Sequence, residues 1–154
     1  MRYCYLSLGS NMGNRGAYLR AGVAAMTEGV ARTSPVYQTS PWGGVAQDDF
    51  WNIVLEIETS LPAETLLAKA QQAEREALRV RHEHWGPRTL DVDVLLLGDE
   101  VHDTPHLVVP HPRMWLRRFV VAPLRDLRPD LVSEAALLAS DGEVHNIGTL
   151  ESVH

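Results

Sequence analysis

The amino-acid sequence predicts an α+β sandwich in which helices pack on a mainly antiparallel sheet. Three observations lead there. Residues 2–8, 50–58 and 91–97 are short runs rich in aromatic and branched apolar side chains, the composition of strands. Between them lie two stretches with apolar residues at helical spacing. Turn-forming clusters of Gly, Pro, Ser and Asn punctuate the joins.

Each element follows from its own residues. Residues 2–8 alternate weakly and read as a strand, and Gly9-Ser10-Asn11-Met12-Gly13-Asn14 reads as a turn-rich loop. A helix is expected over about 15–28, because Leu19, Val23, Met26 and Val30 share a face and Gly29 can stop it. Residues 33–39 suggest a short strand in which Pro35 favours an edge position. After the loop 40–49, residues 50–58 form the clearest strand. Ser60 caps a long helix with Pro62 in its first turn, running to Leu78 with Leu66, Leu67, Ala70, Ala73 and Ala77 on its apolar face. Residues 79–88 are polar, contain Gly86-Pro87 and read as a mobile loop. The strand 91–97 follows, then an irregular or hairpin stretch over 99–111. Pro112 can open a short helix, and 119–127 reads as a strand passing into a helix. The pattern fades after Ser133, and 140–154 reads as a loose tail. This strand–helix–strand–strand–helix–strand order is the βαββαβ of a ferredoxin-like sandwich with helices over one face.

Composition narrows the possibilities. At 154 residues, 45% hydrophobic and 22% charged, the chain suits one domain, 1–154, with a core that needs no disulfide or structural metal. Cys4 is the lone cysteine and reads as a small core residue, which fits a reducing compartment. No apolar run is long enough to span a bilayer and no signal-peptide pattern opens the chain, so a cytoplasmic location is expected. The net charge of −6 argues against nucleic acid as a partner. Of 14 basic residues only Lys69 is a lysine. Arginines cluster at Arg79, Arg81 and Arg88 and again at Arg113, Arg117 and Arg118, and their planar forks suit bidentate phosphate contacts. An acidic chain with local arginine clusters fits a small polyanion better than a long one.

The sharpest chemical signal is Asp91-Val92-Asp93 at the head of an aliphatic strand. Residues i and i+2 of a strand face the same way, roughly 6.5 Å apart. Carboxylates held so close repel one another, and a divalent cation relieves the repulsion. Hard oxygen donors suit Mg²⁺ shared with substrate phosphates, whose charge Arg88 could meet. The remaining signals are weaker one by one. The loop 9–14 lacks the Gly-Lys-Ser/Thr ending of a phosphate loop and reads as a turn. Phe50 and Asn52 share a strand face. They suit a planar heterocycle with amide-like edges, and equally a core aromatic beside a strand-end amide. Gln71 and Glu74 lie one turn apart, the spacing of a solvated helix face. Trp85 in a polar loop implies stacking or docking. His82 and His84 have no third zinc ligand nearby. His111, between two prolines and beside arginines, serves structure or a phosphate.

Together, Gly9-Ser10-Asn11-Met12-Gly13, Tyr37-Gln38-Thr39, Asn52, Trp85-Gly86-Pro87-Arg88-Thr89-Leu90-Asp91-Val92-Asp93 and Val109-Pro110-His111-Pro112-Arg113-Met114 resemble the 6-hydroxymethyl-7,8-dihydropterin pyrophosphokinase family of folate biosynthesis, over about residues 3–132. The resemblance implies a ferredoxin-like fold, two Mg²⁺ ions, ATP as co-substrate and a pterin as acceptor, with a monomeric protein. It implies that Asp91 and Asp93 ligate metal, and that Arg79 and Arg88 bind phosphate. It places Thr39, Trp42, Phe50, Asn52 and Phe119 around the pterin, although Trp42 is bulkier than the aliphatic residue expected there. It places Gln71, Glu74, Arg81, Trp85, Arg88, His111 and Arg117 on the nucleotide side. A ligand- or RNA-binding module of the same topology, or another Mg²⁺-dependent phosphate reaction, are the rivals.

Overall fold

The computed structural model of the chain describes residues 1–40, 49–79 and 89–153. Its elements are β1 (Arg2–Ser10), α1 (Arg15–Met26), β2 (Ala31–Thr33), β3 (Val36–Thr39), β4 (Phe50–Thr59) and α2 (Ala63–Arg79). Then come β5 (Asp91–Leu97), β6 (His102–Asp103), β7 (Val108–Val109), a 3₁₀ turn (Met114–Leu116), α3 (Arg118–Leu127), α4 (Glu134–Ala139) and β8 (Val144–Gly148). The main sheet runs β5-β1-β4-β3-β8, with β2 also paired to β4, and every pairing in it is antiparallel. β6 and β7 form a separate small hairpin.

β1 lies between β4 and β5, which is why it is buried from Cys4 to Ser10. Its even residues, Cys4, Leu6 and Leu8, join Ile53, Leu55, Ile57, Val92 and Val94 under α1 and α2, which contribute Leu19, Met26, Leu66, Ala70, Ala73 and Ala77. Of the apolar stripe expected for α2, Leu66, Ala70, Ala73 and Ala77 are buried, whereas Leu67 is half-buried and borders a pocket beside β5. α1 is capped by Asn14, whose Oδ1 accepts the Ala17 N–H at 3.0 Å. It stops at Met26, earlier than the sequence suggests, because Thr27 turns its Oγ1 onto the Val23 carbonyl. Val30 is left exposed. α2 starts later than expected, at Ala63, its first bonds running to the Pro62 carbonyl.

Three further differences from the sequence reading have plain physical causes. The strand expected over 33–39 is two strands, β2 and β3, broken at Ser34-Pro35. Proline has no N–H for the ladder, and the Ser34 hydroxyl bridges the break by accepting the Val54 N–H at 2.9 Å. Residues 119–127 are helical throughout: Val120, Val121, Leu124 and Leu127 fall on one buried face, so packing overrides the strand preference of two adjacent valines. That helix packs on the opposite face of the sheet from α1 and α2, against Tyr5, Val54 and Leu95. Within 140–154, where the sequence pattern is weak, β8 pairs with β3, and Leu150 and Val153 are buried in the main core.

The C-terminal end of α3 is tied to the sheet by a polar network around Glu56, which is 6% exposed. Arg32 donates from Nε to Oε1 at 2.8 Å and from Nη2 to Oε2 at 3.0 Å. The Tyr5 hydroxyl donates to Oε2 at 2.6 Å and accepts from Arg128 Nη1 at 2.6 Å. The Arg32 hydrogen bonds, opposed by burial and helped by Tyr5, hold the Glu56 carboxyl below its ordinary value. A depressed pKa means that this stability is fully present above the unfolded carboxyl pKa and is lost as pH falls from there through the lower folded-state pKa. Glu56→Gln is therefore expected to cost about 2 kcal/mol at neutral pH, from the charged hydrogen bonds lost. It should also flatten the decline in melting temperature between about pH 6 and pH 3. Thermal melts of both proteins across that range check it.

Candidate active site

Because α3 covers only the middle of its sheet face, the end of that face nearest Gly9 is open. There the odd residues of β1 meet the even residues of β4 and the aspartates of β5. Gly9 pairs with Asn52 on one side and Asp91 on the other, and Ser7 pairs with Val54 and Asp93. The result is a pocket of about 260 Å³ lined by Ser7, Gly9, Thr39, Phe50, Asn52, Asp91, Asp93, Arg117 and Phe119, with Ser40 at its margin. Asp91 and Asp93 are half-buried on the pocket side while Val92 between them is buried in the core, which is the alternation that the sequence implied.

The pocket walls are set by bonds remote from it. Phe50 opens β4 directly after Asp49. The Asp49 carbonyl accepts from Arg15 Nη1 at 2.6 Å, and its carboxylate accepts from Gln38 Nε2 at 2.9 Å. Arg15 also lies over the Trp51 ring, 4.4 Å from its centre. Arg117 packs over the Phe119 ring at 5.6 Å and forms a backbone bridge with Asp141. Arg118 donates to the carbonyls of Leu138, Ser140 and Gly142. Thr39 is held between Phe50 and Val144. The C-terminal segment thus supports both the Thr39 side and the Arg117 side of the pocket.

Asn52 is 4% exposed, and its Nδ2 is buried with no hydrogen-bond partner among the described residues. A buried donor left unmet is costly, and in a pocket wall it marks where a ligand acceptor belongs.

A second pocket, of about 200 Å³, lies beside β5 and is lined by Leu67, Val92, Asp93, Val94, His106, Leu107, Val108, His111 and Pro112. Asp93 lines both pockets. Burial is the main reason that the His111 imidazole sits below its usual pKa. Asp93 pulls the other way, and Arg117 and Arg113 reinforce burial. Its Nδ1 accepts the Arg113 N–H at 3.2 Å, which leaves Nε2 to carry the proton of the neutral ring.

Glu74 is half-buried, and its Oε2 accepts the N–H of Val92, the residue between the two aspartates, at 3.0 Å. β5 is the edge of the sheet, so a helix carboxylate takes the place of a neighbouring strand there. Gln71 lies exposed on the same helix. Arg79 ends α2. Trp42, Arg81, Trp85 and Arg88 lie outside the described residues. The sequence reading did not single out Ser7 or the pocket-floor role of Gly9. Their pairing partners would have exposed both, since each faces a proposed site residue across the ladder.

The aspartate pair fits a magnesium site by its chemistry. Two hard carboxylates share one pocket face, Arg117 stands close by for phosphate charge, and room remains for ligand oxygens. Among the described residues no group of three or more His, Cys, Asp or Glu side chains could enclose a metal. No helix among the described residues is long and apolar enough to cross a membrane.

An antiparallel α+β sandwich with two pockets that meet at Asp93, one of them also lined by Asp91, is the frame of a small-molecule enzyme, and the comparisons with known proteins give its class as transferase. The family model for 7,8-dihydro-6-hydroxymethylpterin-pyrophosphokinase (HPPK) matches residues 5–129. The chain is similar to the 2-amino-4-hydroxy-6-hydroxymethyldihydropteridine pyrophosphokinase of Bacillus subtilis, at 44% identity over 90% of this chain and 86% of that protein. It is 40% identical to the protein of the same name from Aquifex aeolicus, over 86% of this chain and 84% of that one. A solved structure described as "Crystal Structure Analysis of the HPPK-DHPS in complex with substrates" matches with a TM-score of 0.63 at 10% identity. The match covers 98% of this chain but only 42% of that longer one, and at that identity it speaks to the fold alone. The chain belongs to the 7,8-dihydro-6-hydroxymethylpterin-pyrophosphokinase family.

Proposed function

We propose that this protein transfers the diphosphate of ATP to the hydroxymethyl group of 6-hydroxymethyl-7,8-dihydropterin and releases AMP, acting as a cytoplasmic monomer in folate biosynthesis. The observation that carries the proposal is the position of Asp93 between two pockets. One is flanked by Phe50 and Phe119 with the unmet Asn52 donor, and the other is bordered by His111. The pterin lies between the two phenylalanines, its acceptor edge on Asn52 Nδ2 and Thr39 beside it, and motif similarity alone assigns Trp42 to the same ligand. The nucleotide occupies the His111 side, with Gln71 and Glu74 toward it and its phosphates reaching the adjoining pocket that Arg117 lines; motif similarity alone assigns Arg79, Arg81, Trp85 and Arg88 to the same nucleotide.

In the reaction the hydroxymethyl oxygen forms a bond to the β-phosphorus. The bond from that phosphorus to the oxygen bridging it to the α-phosphorus breaks, AMP leaves with that oxygen, and the hydroxyl proton is released. Asp91 and Asp93 would hold two Mg²⁺ ions, which when bound neutralise charge on the phosphate oxygens. The pocket residues set the acceptor oxygen in line and hold it there, which is the larger part of catalysis in phosphoryl transfer. Neutral His111 offers Nε2–H as a donor to a phosphate oxygen. The arginines stabilise charge on the transferring group.

Product analysis tests the reaction class. Incubation with ATP, Mg²⁺ and 6-hydroxymethyl-7,8-dihydropterin should give AMP and a pterin diphosphate in equal amounts. ADP, or free phosphate without pterin modification, would contradict diphosphate transfer.

A further inference from the structure

We infer that Gly9 is a specificity-determining position, because only a residue without a side chain lets Asn52 hold its amide in the pose that reads the ligand. The inference rests on the pterin reading of the pocket and deepens it.

Gly9 is the next-to-last residue of β1, still paired to Asn52 in one ladder and to Asp91 in the other. Glycine inside a strand weakens it, so its presence there needs a reason. The backbone is not that reason, since Gly9 is not among the glycines with positive φ. The reason is space. A Cβ on Gly9 would fall 2.6 Å from Asn52 Oδ1 and 3.7 Å from Asn52 Cγ, with the Trp51 carbonyl oxygen at 3.8 Å. The backbones on both sides are fixed by ladder bonds, so the carboxamide is what must move. Asn52 therefore lays its oxygen over the bare Gly9 backbone, and this leaves Nδ2, which has no partner among the described residues, as the end presented to the ligand. A pocket built this way selects a flat molecule with an acceptor, a ring nitrogen or carbonyl oxygen, at that edge. A ligand offering a donor there leaves two donors facing one another, which costs far more than one weak bond. Gly9 touches the ligand's recognition through Asn52, and so is a positioning residue.

A double-mutant cycle tests it. Binding of 6-hydroxymethylpterin is measured by calorimetry, with Mg²⁺ and a non-hydrolysable ATP analogue present, for the wild-type protein, Gly9→Ala, Asn52→Ala and the double variant. Each single substitution should weaken binding by about tenfold or more, from one buried hydrogen bond lost. The double variant should bind within about twofold of Asn52→Ala, because the added methyl has room once the amide is gone. Should Gly9→Ala fail to fold, the double variant is expected to fold and to bind as Asn52→Ala does, the same coupling read in stability. Losses that multiply, or a double variant that also fails to fold, overturn the role of Gly9 alone. Wild-type protein that does not bind the pterin overturns the pterin reading and this inference together.

Discussion

Asp93→Ala is expected to lower turnover by about three orders of magnitude while leaving the fold intact. Asp93 lines both pockets and is half-buried at the start of β5, so it stands where the groups to be joined must meet. Loss of its carboxylate removes one of two fixed negative charges proposed to hold cations against the phosphates, and kcat should fall by ~10³-fold, the size seen when a fixed electrostatic contact to the transition state is lost. Folding should not suffer. Val92 and Val94 carry the packing of β5 into the main core, and removing a charge beside Asp91 relieves repulsion. The melting temperature should therefore stay within about 3 °C of wild type. Product assays with thermal melts check both halves. Retained Mg²⁺-dependent turnover would refute the metal role, and loss of the fold would refute the separation of site from core.

Glu74→Ala is expected to produce the second largest loss, through the backbone. Its carboxylate accepts the N–H of Val92 and so ties the aspartate-bearing strand to α2. Hydrogen bonds to charged groups are worth roughly 1.5–3 kcal/mol, which sets an expected fall in kcat/KM of about 10- to 100-fold if the whole of it acts on aspartate placement. The signature is specific. Because the aspartates would be misplaced, the Mg²⁺ concentration for half-maximal rate should rise along with the fall in rate. Glu74→Gln keeps a carbonyl acceptor and should recover most of the activity. A role confined to nucleotide contact would instead raise the KM for ATP, with an unchanged Mg²⁺ dependence. Rate measurements against Mg²⁺ and ATP separately distinguish the two.

Much of the fold was legible because its strong elements are local. Periodicity alone placed α2, with Leu66, Ala70, Ala73 and Ala77 as its buried stripe. The aliphatic runs placed β4 and β5, and strand alternation put Asp91 and Asp93 on one face. What escaped depends on contacts distant in sequence. β8, the run Val144-His145-Asn146-Ile147-Gly148, is short, polar and largely exposed, and it is a strand because β3 offers it a ladder rather than because of its own residues. α3 was misread at Val120-Val121, where β-branching suggested a strand but a one-sided apolar face packed against Tyr5 and Val54 fixed a helix. The side of the sheet that α3 covers could not be read from its own sequence either.

The site divides in the same way. Residue chemistry marked the aspartate pair, and similarity of motif gathered Thr39, Phe50, Asn52 and Phe119, which the structure brings to one pocket; Arg117, which the motif put on the nucleotide side, lines that same pocket. The bond from Glu74 to Val92 needed α2 docked against an edge strand. The role of Gly9 needed the register of β1 against β4, since a glycine shows its purpose only through what lies opposite.

The most direct measurement of the central claim is a crystal structure with Mg²⁺, a non-hydrolysable ATP analogue and 6-hydroxymethylpterin. Carboxylate oxygens of both Asp91 and Asp93 are expected within about 2.1 Å of Mg²⁺ ions that also bind phosphate oxygens, with the pterin ring between Phe50 and Phe119. Magnesium and phosphates bound elsewhere, with these two carboxylates turned away from any ion, would contradict the account.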